Sequence, residues 1–271
     1  MRRAFATIFG LIAAGSATAA CGQASQAPAP DYINPDRPGI ADGSYVVGSG
    51  RFQVETGIQL EWRDDRGERD FRLFVPTLLR LGVNDRLEFR VEGNTLTYER
   101  SSPGGAAPAR DATGLAPTSI GLKYHILDPD GVRRPSVGVI ARLFPPNGSG
   151  AFRSDRTSGD VRVAADWDFA PKWSLNPNVG VGAYEDDSGR SYVTALAAMT
   201  LNFNPSPTLN FFGDFGAQAP ERKNGRASLI VDAGTAIIIG KNMQLDLSAG
   251  TGIAGSTPPK LFVSAGVSER F

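Results

Sequence analysis

His125 is the only histidine of the 271-residue chain, and its neighbours in sequence do not equip it for catalysis. A serine nucleophile must stand within hydrogen-bond reach of its base. Ser119 lies six residues upstream, nearly a strand's length away in extended chain. Zinc needs several nitrogen or sulfur ligands at set spacings, and here there is one histidine, one cysteine and no HExxH. Asp166 and Asp168 make the kind of pair that acid–base chemistry or calcium binding uses. Their spacing of two also puts both on one face of a strand, where acidic alternation on a wet surface accounts for them. GVGAY and GAQAP fall at strand ends and are not phosphate loops. These residues give no catalytic group, cofactor or metal, so the chain reads as a non-enzyme.

The spacing of two runs far beyond that pair. In RFQVETGIQLEW, Phe52, Val54, Thr56, Ile58, Leu60 and Trp62 share one face, and Arg51, Gln53, Glu55, Gln59 and Glu61 share the other. Strict alternation of this kind predicts a strand with one apolar face. Further segments of the same type fall at 70–82, 86–99, 114–127, 135–144, 159–169, 172–184, 190–203, 208–218, 225–240, 243–254 and 260–271. Most are near the roughly 9–11 residues that a tilted strand needs to cross a bilayer. The expectation is an all-β protein, a closed antiparallel transmembrane β-barrel of about twelve strands.

Connection lengths orient it. Links after even-numbered strands are short, as at Val83–Asp85, Ala170–Pro171 and Gly240–Asn242. Links after odd-numbered strands are generally longer and polar, as in RSSPGGAAPARDA and FPPNGSGAFRSDRTS. Short turns on one rim and long loops on the other are the outer-membrane arrangement, with both termini on the periplasmic side. Aromatics agree: Trp167, Phe169, Trp173, Phe203 and Phe271 gather at the short-turn rim, and Trp62 and Phe71 flank the first long loop.

The face opposite the apolar one carries Arg51, Glu55, Glu61, Arg72, Arg80, Glu88, Arg90, Glu92, Lys123, Arg142, Asp160, Arg162, Asp166, Asp168, Asp214, Asp232, Asp246 and Arg270. A cation facing lipid near the midplane costs about 2–4 kcal/mol, so these groups must face the lumen. Within that set Arg72, Arg80, Glu88, Arg90, Glu92, Lys123, Arg142, Asp160, Arg162, Asp166 and Asp168 are the candidate solute-facing, lumen-lining residues. Their signs are mixed, with the strand-two arginines expected beside Glu88, Arg90 and Glu92, so neighbouring ladders should pair. No ring of one sign appears, which argues against strong ion selectivity.

The N-terminal MRRAFATIFGLIAAGSATAAC pairs two arginines with an apolar run and small residues, and residues 1–20 read as a secretory signal peptide. Cleavage after Ala19 or Ala20 is one reading; a lipobox that acylates Cys21 is the other. Cys21 is the sole cysteine, which excludes an internal disulfide. Loss of Arg2 and Arg3 leaves 26 basic against 28 acidic residues, and a chain without basic excess is no nucleic-acid binder. Residues 21–50 open with GQASQAPAPDYINPDRPG and are expected as an extended periplasmic lead-in to the barrel domain, 51–271.

DRPGIADGSYVVGSGRFQVETG, LLRLGVNDRLEFRVEGN, GLAPTSIGLKYHIL, IARLFPPNGSG and NMQLDLSAGTGI, ahead of the terminal SERF, occur in that order over roughly residues 36–271. Together they resemble the bacterial outer-membrane transporter family of the MetA-pathway of phenol degradation type. The resemblance implies an outer-membrane barrel that passes small, often aromatic, compounds, and it brings no catalytic residues with it. The expected partners are outer-membrane lipids, a small-molecule solute and the barrel-assembly machinery, whose signal an aromatic-ended terminal strand resembles. Two function classes stay open: a channel working by passive or facilitated diffusion, and a closed-lumen barrel that serves as anchor, receptor or loop-based enzyme, since long side chains or the segment Asp31 to Gly50 could occlude the modest lumen of twelve strands.

Overall fold

A computed structural model of the chain describes residues 31–65, 68–102, 108–186 and 188–271. The expected signal peptide and Cys21 lie outside the described residues. The strands are β1 (Phe52–Asp65), β2 (Glu68–Asn84), β3 (Leu87–Ser102), β4 (Arg110–Gly114), β5 (Ser119–Leu127), β6 (Ser136–Phe144), β7 (Ser158–Ala170), β8 (Trp173–Glu185), β9 (Ser191–Ser206), β10 (Leu209–Ala219), β11 (Ser228–Ile239), β12 (Met243–Ala254) and β13 (Leu261–Arg270). All pairings are antiparallel, β1 pairs with both β2 and β13, and β2 with β3, so the ring of long strands closes on itself. The ring has twelve strands; β4 is an extra one that pairs only with the far end of β3.

That extra strand corrects one expectation. The predicted strand 114–127 is divided, because Pro117 has no N–H to give to a ladder. Side chains of the next long loop replace the missing partners: Ser149 Oγ accepts from Leu115 N at 2.7 Å, and Asn147 takes both backbone groups of Thr118 at 2.8 and 3.0 Å. The first long loop also departs from expectation. The β1–β2 ladder continues through Arg63–Asp70 and Asp64–Arg69 to the hairpin tip, so those charges ride on strands.

Burial is inverted relative to a soluble protein. Val193, Val179, Leu247 and Ile58 are 66%, 62%, 58% and 53% exposed, while Arg80, Glu55, Glu88 and Lys123 are 1% exposed or less. Only a lipid surround makes that exposure favourable, and only a closed barrel satisfies every backbone group inside it. Aromatic pairs mark the rims. Trp173–Phe203, Trp167–Phe169 and Phe52–Phe271 stand 4.8, 5.8 and 6.2 Å apart at the short-turn side, and Trp62–Phe71 stand 5.7 Å apart at the other.

Residues 31–50, expected as a periplasmic lead-in, fold into the barrel instead. The chain enters beside the β11–β12 turn, where Ile33 N donates to Lys241 O at 2.7 Å. It crosses the lumen with Ile33, Ala41, Ser44 and Val47 buried, and returns to the rim at Gly50, which is bonded to Gly82. It forms no strand. Its charges decide its place, because they match charges of the wall.

Candidate functional site

Arg80 of β2 and Arg90 of β3 sit directly opposite each other in the ladder, and Lys123 lies on β5 next door. Like charges so placed repel, and the wall carboxylates Glu55 and Glu88 leave one cation of the three uncompensated. Asp36, from the luminal segment, supplies that charge. Its two oxygens accept from Lys123 Nζ at 2.9 and 2.8 Å, and Oδ2 accepts from Arg90 Nη1 at 2.7 Å and lies 3.6 Å from Arg80 Nη1. Burial pushes the Asp36 carboxyl up, but Arg80, Lys123 and Arg90 outweigh burial and hold it far below the usual carboxylate range.

Arg80 is fully engaged. It donates to Glu88 at 2.9 Å twice, to Glu55 at 3.0 Å, and to the carbonyls of Asn34 and Tyr45 at 3.1 and 2.9 Å. Three of these five bonds tie wall to wall, and two tie wall to segment. Arg90 also donates to Asp42 at 3.0 Å, and Val47 N donates to Glu88 at 3.0 Å.

Elsewhere the segment is held by polar groups and by missing side chains. Arg37 donates to Asp246 at 2.9 Å and to Ser264 at 3.1 Å, lying over Gly57 and Gly266, where any Cβ would collide with its guanidinium. Ser44 N donates to Asp166 at 2.6 Å and its hydroxyl meets that of Ser136 at 2.6 Å, next to Gly138, whose lack of a side chain admits the Ser44 carbonyl.

The residues singled out by sequence fall into three groups. Arg80, Glu88, Arg90 and Lys123 surround Asp36. Glu92, Arg142, Asp160 and Arg162 form a second cluster, in which Arg142 bonds Glu92 at 3.0 Å and Asp160 at 3.1 and 3.0 Å, and Arg162 stands 3.3 Å from Asp160. Asp166 bonds Ser44. Arg72 and Asp168 join neither cluster: Arg72 pairs with Glu99 at 2.9 Å higher on the wall, and Asp168 is exposed beside the lower cavity. His125 packs its ring on Tyr45 at 5.1 Å, with Nδ1 on Ser44 O at 3.1 Å and Nε2 on Asp128 at 2.8 Å. Both its nitrogens are thus occupied, Nδ1 with the segment and Nε2 with the β5–β6 turn. Asp36, Arg37 and Asp42 were missed by the sequence reading, although two acids and an arginine in a Gly- and Pro-rich stretch were a visible signal.

The segment separates two cavities. One of about 920 Å³ lies towards the long loops and is lined by Asp36 and Arg90 of the first cluster and Glu92, Arg142 and Arg162 of the second, together with Leu78, Phe144, Ile230 and Phe262. The other, about 290 Å³, lies towards the short turns. Asp36, Arg37, Pro38 and Gly39 line both.

A closed twelve-strand barrel with an apolar exterior, aromatic rims and a charged interior places the protein among bacterial outer-membrane β-barrels. The chain belongs to the family described as "Putative MetA-pathway of phenol degradation", whose model matches residues 35–271. Among solved structures it is similar to an outer-membrane channel from Pseudomonas putida F1, at TM-score 0.66 and 14% identity over 88% of this chain and 100% of that one. It is also similar to the translocator domain of the autotransporter NalP from Neisseria meningitidis (TM-score 0.56, 11% identity, 83% and 90% covered). The β-domain of the Bordetella autotransporter BrkA gives the same score at 12% identity, with 82% and 100% covered. These likenesses speak for the fold. No match is found among curated proteins.

Proposed function

We propose that the protein is an outer-membrane channel for small molecules, working by passive or facilitated diffusion, and that residues 31–48 close it in this conformation. The observation that carries the reading is the pair of cavities, one towards each rim, that meet at Asp36–Gly39. Displacing one loop of chain would join them. The solute-facing groups are those of the larger cavity: Arg90, Glu92, Arg142 and Arg162, with the apolar Leu78, Phe144, Ile230 and Phe262 beside them. Mixed signs favour no ion strongly, and the apolar patch suits small compounds with hydrophobic or aromatic bodies. That class accords with the pathway named in the family description, and the Pseudomonas putida F1 neighbour is itself described as a channel. Among the described residues His125 has both nitrogens engaged, which supports a non-enzymatic reading.

A second reading, a closed barrel serving as anchor or receptor, draws on the buried ion pairs that hold the segment. Liposome swelling in isosmotic solutes of graded size separates the two. The full chain should admit solutes slowly and a chain lacking 31–48 should admit them fast. No swelling with either protein would favour the anchor.

A further inference from the structure

At one level of the lumen, Asn176, Thr200, Asp214, Asp232, Gly250 and Phe262 form a continuous row across β8 to β13. Asp214 and Asp232 are direct cross-strand partners in it. Two carboxylates so placed repel unless something positive lies between them. Among the described residues no lysine or arginine answers them as Asp36 is answered: Arg37, on the nearby stretch of segment, is committed to Asp246 and Ser264.

Three oxygens of this row are buried without a hydrogen-bond partner: Oδ1 of Asp214, Oδ1 of Asp232 and the hydroxyl of Thr200. Asp214 and Thr200 are each only 5% exposed. They converge on the same point of the luminal segment, since a Cβ added to Gly39 would lie 3.2 Å from Thr200 Oγ1 and 3.7 Å from Asp214 Oδ2. A buried polar group left without a partner is costly, so a ligand is called for.

We propose that Asp214, Asp232 and Thr200 form a binding site for one calcium ion, which ties the wall to the luminal segment at Gly39–Ile40. The competing arrangement is one proton held on Asp232, which leaves Asp214 ionised and accepting from Ile40 N at 3.1 Å and removes one of the two charges. One hard cation answers three oxygens and two charges together. The donors are all oxygen, which sets aside zinc and copper. Magnesium demands strict octahedral geometry, whereas calcium takes an irregular shell and completes it with water. Water reaches the site from the larger cavity, which Asp232 and Ser248 both line. The site stands whether or not the lumen conducts.

The test is calorimetric titration of calcium into the EDTA-treated, purified full chain in detergent, paired with thermal melting. The wild type should bind one ion per chain and melt higher in calcium than in EDTA. Asp232→Asn, which leaves the Ile40 contact intact, should weaken binding about tenfold or more. Thr200→Val, near-isosteric, should weaken it less while keeping the folded form's gel mobility. Three results would overturn the site: a folded wild type that binds no calcium, both variants binding as the wild type does, or a melting temperature that rises on acidification and ignores calcium. The last would assign the carboxylates a shared proton.

Discussion

Asp36 and Lys123, separated by 87 positions in the chain, meet in the middle of the lumen with the ammonium 2.9 and 2.8 Å from the two carboxylate oxygens. Arg90 closes on the same carboxylate at 2.7 Å, so one acid of the segment neutralises cations from two strands. Asp36→Asn should therefore strand buried cations, at a cost of about 3–5 kcal/mol. Urea unfolding of the refolded barrel measures this, and protease should then cut within 31–48 while the barrel core survives. A variant as stable and as protected as the wild type would remove Asp36 from the account.

Acidity should leave the same contact alone over a wide range. The folded Asp36 carboxyl titrates far below its unfolded value of about 3.9, so its contribution is complete above that value and is lost only as pH falls through the folded one. Protection of residues 31–48 from protease should be constant between about pH 8 and pH 5. Release of the segment inside that window would mean that another group holds it.

Gly266 has a role that no side chain could share, since a Cβ there collides with the Arg37 guanidinium. Gly266→Ala should leave β12–β13 pairing and membrane assembly unchanged while expelling Arg37 from Asp246. A cysteine introduced at Pro38 would then label faster with a thiol reagent in the variant than in the parent. Equal labelling rates would place the Arg37 contact outside the closing mechanism.

The fold was largely legible because a barrel strand carries its environment in a period of two, and Arg80, Glu88, Arg90 and Lys123 advertised the lumen by that period alone. Pro117 was visible as a ladder breaker, but Asn147 and Ser149, which make the break stable, come from a loop about thirty positions on. That residues 31–50 could occlude the lumen was open from the sequence, but their path and partners were illegible for a different reason. A segment packed on every side has no amphipathic face and hence no period, and the partners of Asp36 and Arg37 lie on strands up to 227 positions away. The neighbours expected for the strand-two arginines were Glu88, Arg90 and Glu92; Arg80 meets two of them, bonding Glu88 and facing Arg90 in the ladder, whereas Arg72 pairs with Glu99 instead.

The terminal ring should matter to assembly more than to transport. Phe271 is 65% exposed, stacks on Phe52 at 6.2 Å, and exchanges backbone hydrogen bonds with it at 2.8 and 3.3 Å across the closing seam. Phe262 on the same strand is 5% exposed and lines the larger cavity. Deleting Phe271 should lower the amount of folded barrel in outer-membrane fractions with synthesis unchanged, while Phe262→Ala should assemble nearly normally. Equal assembly defects would invert the face assignment of β13.

Closure by the luminal segment is tested most directly by locking it. The hydroxyls of Ser44 and Ser136 are 2.6 Å apart, near the reach of a disulfide. In a Cys21→Ser background, the Ser44→Cys/Ser136→Cys chain can be inserted into planar bilayers oxidised, recorded, and then reduced in place. The oxidised protein should be almost silent and reduction should bring single-channel openings, with the same reductant leaving the unlocked parent unchanged. Identical conductance before and after reduction, in a protein shown to carry the bond, would contradict closure by residues 31–48.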